Sequence, residues 1–213
     1  KNAASSTAQR QSIHSAKTSP LARVNSEKNS SSFIPDATAD PGLIYPESPA
    51  ARSRWIIGQR GPKNSLDPSR PYAWLLEKER AADGSLVEEL TIFITNKECP
   101  WRCLMCDLWQ NTLDDTVPAG AIVEQIDFAL DQAECGSGDS TKLHQIKLYN
   151  AGSFFDAQAI PETEDAAIAN RLAKFSRVIV ECHPALVGDR CLKFRDLLCG
   201  HLEIALGLET IHP

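Results

Sequence analysis

Residues 91–110 have the sequence TIFITNKECPWRCLMCDLWQ, an apolar segment that runs into a short loop with three cysteines. Cys99, Cys103 and Cys106 follow the spacing C-x3-C-x2-C. Thiolates are soft ligands that suit iron–sulfur clusters, zinc or copper(I). Packing alone does not account for three thiols at the end of one strand, so the loop is predicted to bind a metal centre. Three thiolates would leave one iron of a 4Fe-4S cluster without a protein ligand.

The composition is that of a soluble globular protein, with 42% hydrophobic and 23% charged residues in a chain of 213. Residues 1–60 carry 8 Lys/Arg against 4 Asp/Glu, whereas residues 61–213 carry 14 against 24. The acidic balance of the second part argues weakly against tight nucleic-acid binding, because phosphates require basic surface. The first residue is Lys1, so we expect a fragment or a processed product.

The sequence predicts a cytoplasmic protein without a membrane partner. No apolar run approaches the roughly 20 residues of a membrane helix, and the first residues lack the apolar core of a secretory signal. The chain has 7 cysteines, and three of them crowd into one loop. An odd and clustered set favours metal binding over a disulfide framework.

Two regions are predicted from composition. Residues 1–50 contain much Ser, Ala, Asn and Pro and few large apolar side chains, which predicts disorder. Residues 51–71 are a transition with turn signals and Arg/Lys that could lie across the domain or cover a site, so residues 1–70 as a whole are expected to be disordered or extended. Residues 71–213 are expected to form the folded domain, incomplete at its C-terminus.

The folded region is predicted to be α/β. Segments 72–78 and 86–95 flank Asp83-Gly84, a dipeptide suited to a tight turn, although the first segment could equally be a short helix. Strands then alternate with helices, which predicts parallel βαβ units in a partial barrel or an incomplete sheet. The expected strands are 143–149, 177–182 and 202–207, and the expected helices run from about 118 to 136, 161 to 174 and 189 to 199.

Polar or small residues follow each predicted parallel strand. The cysteine loop follows the first, and the segments 150–153 (Asn-Ala-Gly-Ser), 181–184 (Glu-Cys-His-Pro) and 207–210 (Gly-Leu-Glu-Thr) mark the ends of the others. Ligands of parallel α/β folds gather at the carboxyl ends of strands, so these segments are predicted to form one site.

The cysteine spacing, placed after the first strand, resembles the signature of the radical SAM superfamily. Segments 150–153 and 207–210 are similar to its second and fourth strand motifs. The order of elements resembles the elongator/methylthiotransferase type of domain, especially its uncharacterised Fe–S oxidoreductase branch. The resemblance covers roughly residues 86–213 and implies a TIM-type (βα)n barrel of the radical SAM core, truncated here before the family's fifth and sixth strands.

This resemblance implies a 4Fe-4S cluster on the three cysteines, with S-adenosylmethionine (SAM) chelating the fourth iron. A 5′-deoxyadenosyl radical would then attack a small-molecule or RNA substrate, with an electron donor such as flavodoxin or ferredoxin as partner. By the same resemblance, Asn150, Gly152 and Ser153 contact the methionine end of SAM. Glu181 and Glu209 are the matching candidates for its ribose or amino group.

Two departures and two alternatives accompany this hypothesis. Met105 stands where the family has an aromatic residue, and Asn-Ala-Gly-Ser replaces the Gly-Gly-Glu of its second strand. One alternative is a zinc-stabilised binding module whose fourth ligand is His144, His183 or Cys182. The other is an electron-transfer iron–sulfur protein that does not cleave SAM.

Overall fold

A computed structural model describes residues 45–81, 83–137 and 143–207. Five strands form one sheet in the order β1-β2-β3-β4-β5. The strands are β1 (Ala73–Arg80), β2 (Leu86–Ile94), β3 (Leu143–Asn150), β4 (Arg177–Glu181) and β5 (His201–Ala205). The helices are α1 (Pro49–Gln59), α2 (Ala121–Ser137), α3 (Asp165–Arg171) and α4 (Asp189–Leu197), with short 3-10 turns at Leu108–Asn111, Glu162–Glu164 and Pro184–Leu186.

The first two strands form the expected antiparallel hairpin. Gly84 in the turn has φ 86°, a left-handed conformation that a Cβ would disfavour. The Asp83 carboxylate accepts hydrogen bonds from the Ser85 amide and hydroxyl at 2.9 and 2.7 Å. The hairpin settles the choice between strand and helix for the first segment in favour of the strand.

The predicted alternation of strands and helices is confirmed. β2, β3, β4 and β5 are parallel neighbours, and α2, α3 and α4 lie between them in the chain. The expected barrel is not closed in the part of the chain that the structure describes, where β1 and β5 are the edges of the sheet. The α/β class is therefore established, and the barrel stays a prediction.

Helices cover one face of the sheet and form the hydrophobic core. Alternate residues of β2, β3 and β4 point to that face, as the pleat of a strand requires. Helix α2 places its apolar stripe against them, and aromatic side chains fill the space near α4. Fully buried members of this core are Leu90, Ile92, Ile94, Ile122, Ile126, Ile146, Leu148, Phe154, Ile168, Val178, Val180 and Phe194.

The opposite face of the sheet carries a charged cluster beside the rings of Phe93 and Tyr149. Lys147 forms ion pairs with Glu79 and with the fully buried Glu89. Burial raises the pKa of Glu89 despite its hydrogen bond to Lys147. The carboxylates of Glu77, Glu79 and Glu89 lie within 4.8 Å of one another. Because the Lys147 ammonium already pairs with two of them, the group is explained as an ion-pair cluster.

Helix α1 corrects the expectation that residues 1–70 are disordered or extended throughout. Ser48 caps its first turn by accepting a hydrogen bond from the Ala51 amide at 3.3 Å, and Pro49 stands at the first helical position. Ile56 is buried, which ties the helix to the domain. The composition did not indicate this helix because it contains few apolar residues.

Residues 1–44, which belong to the same predicted segment, lie outside the described residues. None of the described helices is long and apolar enough to cross a membrane.

Candidate metal and cofactor site

The cysteine loop leaves β2 and is closed at its base by backbone pairing. Leu113 donates its amide hydrogen bond to the Asn96 carbonyl at 2.9 Å, and the Glu98 amide donates to the Leu113 carbonyl at 3.0 Å. Within the loop, the Cys106 amide donates to the Cys103 carbonyl at 3.2 Å. Arg102 has φ 49°, a left-handed conformation that reverses the chain between the first two cysteines. The loop is thus a folded unit on a rigid strand end.

All three thiols of the loop line one cavity of about 360 Å³. Its walls also include Ala151 and Gly152, which follow β3, and His183, which follows β4. Cys103 is exposed and Cys99 and Cys106 are half-buried, and none of the three is in a disulfide. The predicted site at the carboxyl ends of the strands therefore forms from the segments after β2, β3 and β4.

Gly152 brings the segment after β3 directly against the first cysteine. Its φ is 145°, and a Cβ built at this position would lie 3.2 Å from the Cβ of Cys99. Glycine alone permits both the conformation and the close approach at low cost. A side chain here would push on the thiol-bearing residue.

A stacked pair of rings joins the cysteine loop to β4. The rings of Trp101 and His183 lie 3.7 Å apart between centroids, with 12° between their planes. The Ala185 amide donates a hydrogen bond to Nδ1 of His183 at 3.1 Å. The imidazole is therefore held from both sides, by the loop and by its own backbone.

Basic side chains surround one carboxylate beside the cavity. Glu98 lies 2.7 Å from Arg60, 2.9 Å from Lys63 and 3.6 Å from Arg102. Burial alone would raise the pKa of Glu98, but the hydrogen bonds from Lys63 and Arg60 outweigh it and hold that pKa below the ordinary value. Arg60 also lies 4.9 Å above the ring of Trp109. This cluster fastens the segment after α1 to the cysteine loop.

The Cys99 thiol is partly withdrawn from solvent. Burial raises the pKa of the Cys99 thiol, while the backbone amides of Trp101 and Arg102 oppose that shift through hydrogen bonds to sulfur. A metal ion supplies the positive charge that removes the cost of a buried thiolate. Within the described residues the three sulfurs do not all lie within 4.8 Å of one another, so the cysteines share a cavity without forming a preassembled ion site.

The other predicted contacts lie near the cavity but not in its lining. Ser153 is buried, and its hydroxyl faces the Cys182 sulfur at 3.5 Å. Glu181 accepts a hydrogen bond from the Asn150 amide at 3.2 Å, and burial raises the pKa of this carboxyl. The Asn150 side chain is buried, and neither its oxygen nor its nitrogen has a hydrogen-bond partner. Glu209 lies outside the described residues.

Of the possible fourth zinc ligands, His183 alone lines the cavity. His144 is exposed on β3, and Cys182 is buried with its sulfur against the His183 carbonyl at 3.2 Å. The sequence did not point to Arg60 or Lys63 because neither belongs to a motif. Their role depends on pairing across more than 30 residues of chain.

Comparison with known proteins gives distant similarities. No family model and no solved structure matches the chain. An uncharacterised protein of Methanocaldococcus jannaschii is 25% identical over 154 residues, which cover 68% of this chain and 42% of that protein. Archaeosine synthase subunit beta of Methanosarcina acetivorans is 27% identical over 139 residues, covering 60% of this chain and 38% of that protein.

The chain spans about two fifths of the length of these curated relatives. The comparison therefore establishes a distant and partial similarity to archaeal proteins, one of which is named a synthase subunit.

Proposed function

We propose that this chain is the cluster-binding part of a cytoplasmic radical SAM enzyme that acts on a small molecule or an RNA. One observation carries the proposal: Cys99, Cys103 and Cys106 line a single cavity together with Gly152, at the carboxyl ends of parallel strands. When bound, a 4Fe-4S cluster would pass one electron from the donor protein to SAM, which would break the sulfonium C–S bond to give methionine and a 5′-deoxyadenosyl radical able to take a hydrogen atom from the substrate.

The residues around the cavity have separate roles in this proposal. The three thiolates hold the cluster, and their number leaves one iron open. Gly152 allows its backbone to approach a ligand beside Cys99. The buried side-chain carboxamide of Asn150, whose oxygen and nitrogen lack hydrogen-bond partners, is available to a ligand after a small rearrangement of the strand end.

Two carboxyl groups and one hydroxyl complete the proposed SAM contacts. Glu181 is held by the Asn150 amide at the end of β4, and its raised pKa reflects a buried position that a positively charged amino group would relieve. Ser153 and Glu209 are assigned as SAM contacts on the family resemblance alone. We further propose that additional strands beside β5 complete the barrel, since the relatives are much longer than this chain.

Exposed apolar side chains around the cavity are consistent with a larger assembly. Met105 is 74% exposed and Leu104 57% exposed, immediately between the second and third cysteines. A radical enzyme must exclude water and stray C–H donors from its site. We propose that a further part of the protein or the substrate covers these side chains, and that a flavodoxin or ferredoxin delivers the electron.

The proposal is tested by anaerobic reconstitution with iron and sulfide, followed by dithionite reduction in the presence of SAM. We expect 5′-deoxyadenosine from the wild type and none from Cys103→Ala. Cys199→Ala is the matched control, because Cys199 is a free, exposed thiol that does not line the cavity. A cluster that forms without 5′-deoxyadenosine would favour electron transfer, and bound zinc without iron would favour the binding module.

A further inference from the structure

We propose that His183 donates a hydrogen bond from Nε2–H to a sulfur of the cluster site and thereby raises the cluster's reduction potential. The inference rests on the proposed function, because it assigns His183 a role toward the group held by the three cysteines. His183 lies in segment 181–184, which the sequence placed at the site, but the family resemblance gives it no role, and it would act as a positioning and tuning residue that ligates no metal.

The hydrogen bonding of the imidazole fixes which nitrogen carries the proton. The Ala185 amide is a donor, so Nδ1 of His183, at 3.1 Å, must be the acceptor and carries no hydrogen. A neutral imidazole in this arrangement has its proton on Nε2. Nε2 is then a donor with no lone pair to offer a metal, which argues against His183 as a zinc ligand.

The ring of His183 lies in the wall of the cavity that the three cysteines also line. It stacks on Trp101, which stands between Cys99 and Cys103 in the chain. The stack prevents the imidazole from swinging away from the loop, and the Ala185 hydrogen bond prevents it from flipping. A donor held in this way is preorganised for an anionic acceptor.

The sulfurs of a cluster bound in this cavity would accept a hydrogen bond from such a donor. Hydrogen bonds to sulfur stabilise the reduced and more negative state of an iron–sulfur cluster, so they raise its reduction potential. Arg60 and Lys63 are already paired with Glu98, whereas Arg102 lines the cavity, lies 3.6 Å from Glu98 and has a buried Nε without a hydrogen-bond partner. No group in the described part of the chain accepts a hydrogen bond from Nε2 of His183, so this donor, like that of Arg102, is available to a group bound in the cavity.

The first test concerns the metal-free protein. Long-range ¹H–¹⁵N NMR correlations distinguish the two tautomers of a neutral histidine, and the signals missing from His183→Phe identify the residue. We expect His183 in the Nε2–H form. An Nδ1–H form would overturn the inference, whether or not the protein binds iron.

The second test is an EPR-monitored redox titration of the reconstituted cluster. We expect His183→Phe, which keeps a stacking ring but has no donor, to assemble as much cluster as the wild type with a more negative midpoint potential. His183→Gln retains an N–H donor and should move the potential back toward the wild type. His144→Phe, at an exposed position outside the cavity, should leave it unchanged.

An unchanged potential in His183→Phe would overturn the inference and leave the proposed function intact. A wild type that assembles no cluster would overturn the proposed function and this inference together. The tautomer of His183 in the metal-free protein would still show, in that event, whether the imidazole is oriented as described. Loss of cluster in His183→Phe would show that the ring serves the fold of the loop, which also contradicts a tuning role.

Discussion

At the scale of single residues, the site depends on a contact that only glycine allows. Gly152 combines a φ of 145° with a place for its missing Cβ only 3.2 Å from the Cβ of Cys99. The sequence predicted that small residues after a strand admit a ligand. The structure adds that Gly152 also admits the cysteine itself, which no spacing rule reveals.

Gly152→Ala is therefore expected to cost about 1–3 kcal/mol of folding free energy through backbone strain. It should also lower the iron content after reconstitution, because the new methyl group displaces Cys99. Thermal unfolding and iron analysis measure the two effects. Gly61→Ala is the control, since a Cβ there meets nothing within 4 Å and the residue lies outside the helices and strands. Equal stability and iron content in both variants would contradict this account.

The sequence did not predict the directions of the Ser153 and Glu181 side chains. Both were chosen because they follow strands, and both lie close to the cavity without lining it. The direction of a side chain at a strand end depends on the bend of the backbone and on its hydrogen bonds. Ser153 turns toward Cys182, and Glu181 turns toward the Asn150 amide.

At the scale of elements, the cysteine loop is held by a segment distant in sequence. The Asn64 amide donates a hydrogen bond to the Gln110 carbonyl at 2.9 Å, and Lys63 reaches both Glu98 and Asp114. The composition of residues 1–70 led to a prediction of disorder or extended chain for this region. Its order depends on charge pairs with residues 98–114, so the local sequence could not indicate it.

Glu98→Gln tests this attachment. We expect a loss of about 1–2 kcal/mol of unfolding free energy at pH 7, because Arg60 and Lys63 lose a shared anionic partner. The folded state lowers the pKa of Glu98, so the wild type holds this stability above the unfolded-state pKa and loses it as pH falls through the folded-state pKa. The difference between wild type and variant should therefore shrink toward low pH.

Urea denaturation at pH 7 and at pH 3 to 4 measures this difference. Glu162→Gln is the matched control, because the Glu162 pair with Lys193 is longer, at 3.8 Å, and largely exposed. That variant should change stability little at either pH. A Glu98→Gln variant as stable as the control at pH 7 would show that the segment after α1 is not fastened in this way.

At the scale of the whole molecule, the hydrophobic pattern was enough to predict the class of fold. The hairpin, the four parallel strands and the three helices between them follow from apolar periodicity and turn residues in 71–207. Closure of the sheet did not follow, because it depends on strands that would pair with β5. The sheet face that carries Glu89, Thr91, Gln145 and Lys147 is the face that a closed barrel would enclose.

A count of iron and acid-labile sulfide in the anaerobically reconstituted protein tests whether the three cysteines hold a 4Fe-4S cluster. The account predicts about four of each per chain, with an EPR signal on reduction. Cys103→Ala should retain far less of both, and Cys199→Ala should match the wild type. A wild type that binds about one zinc and no sulfide would contradict the account, because the three thiols would then belong to a structural zinc site.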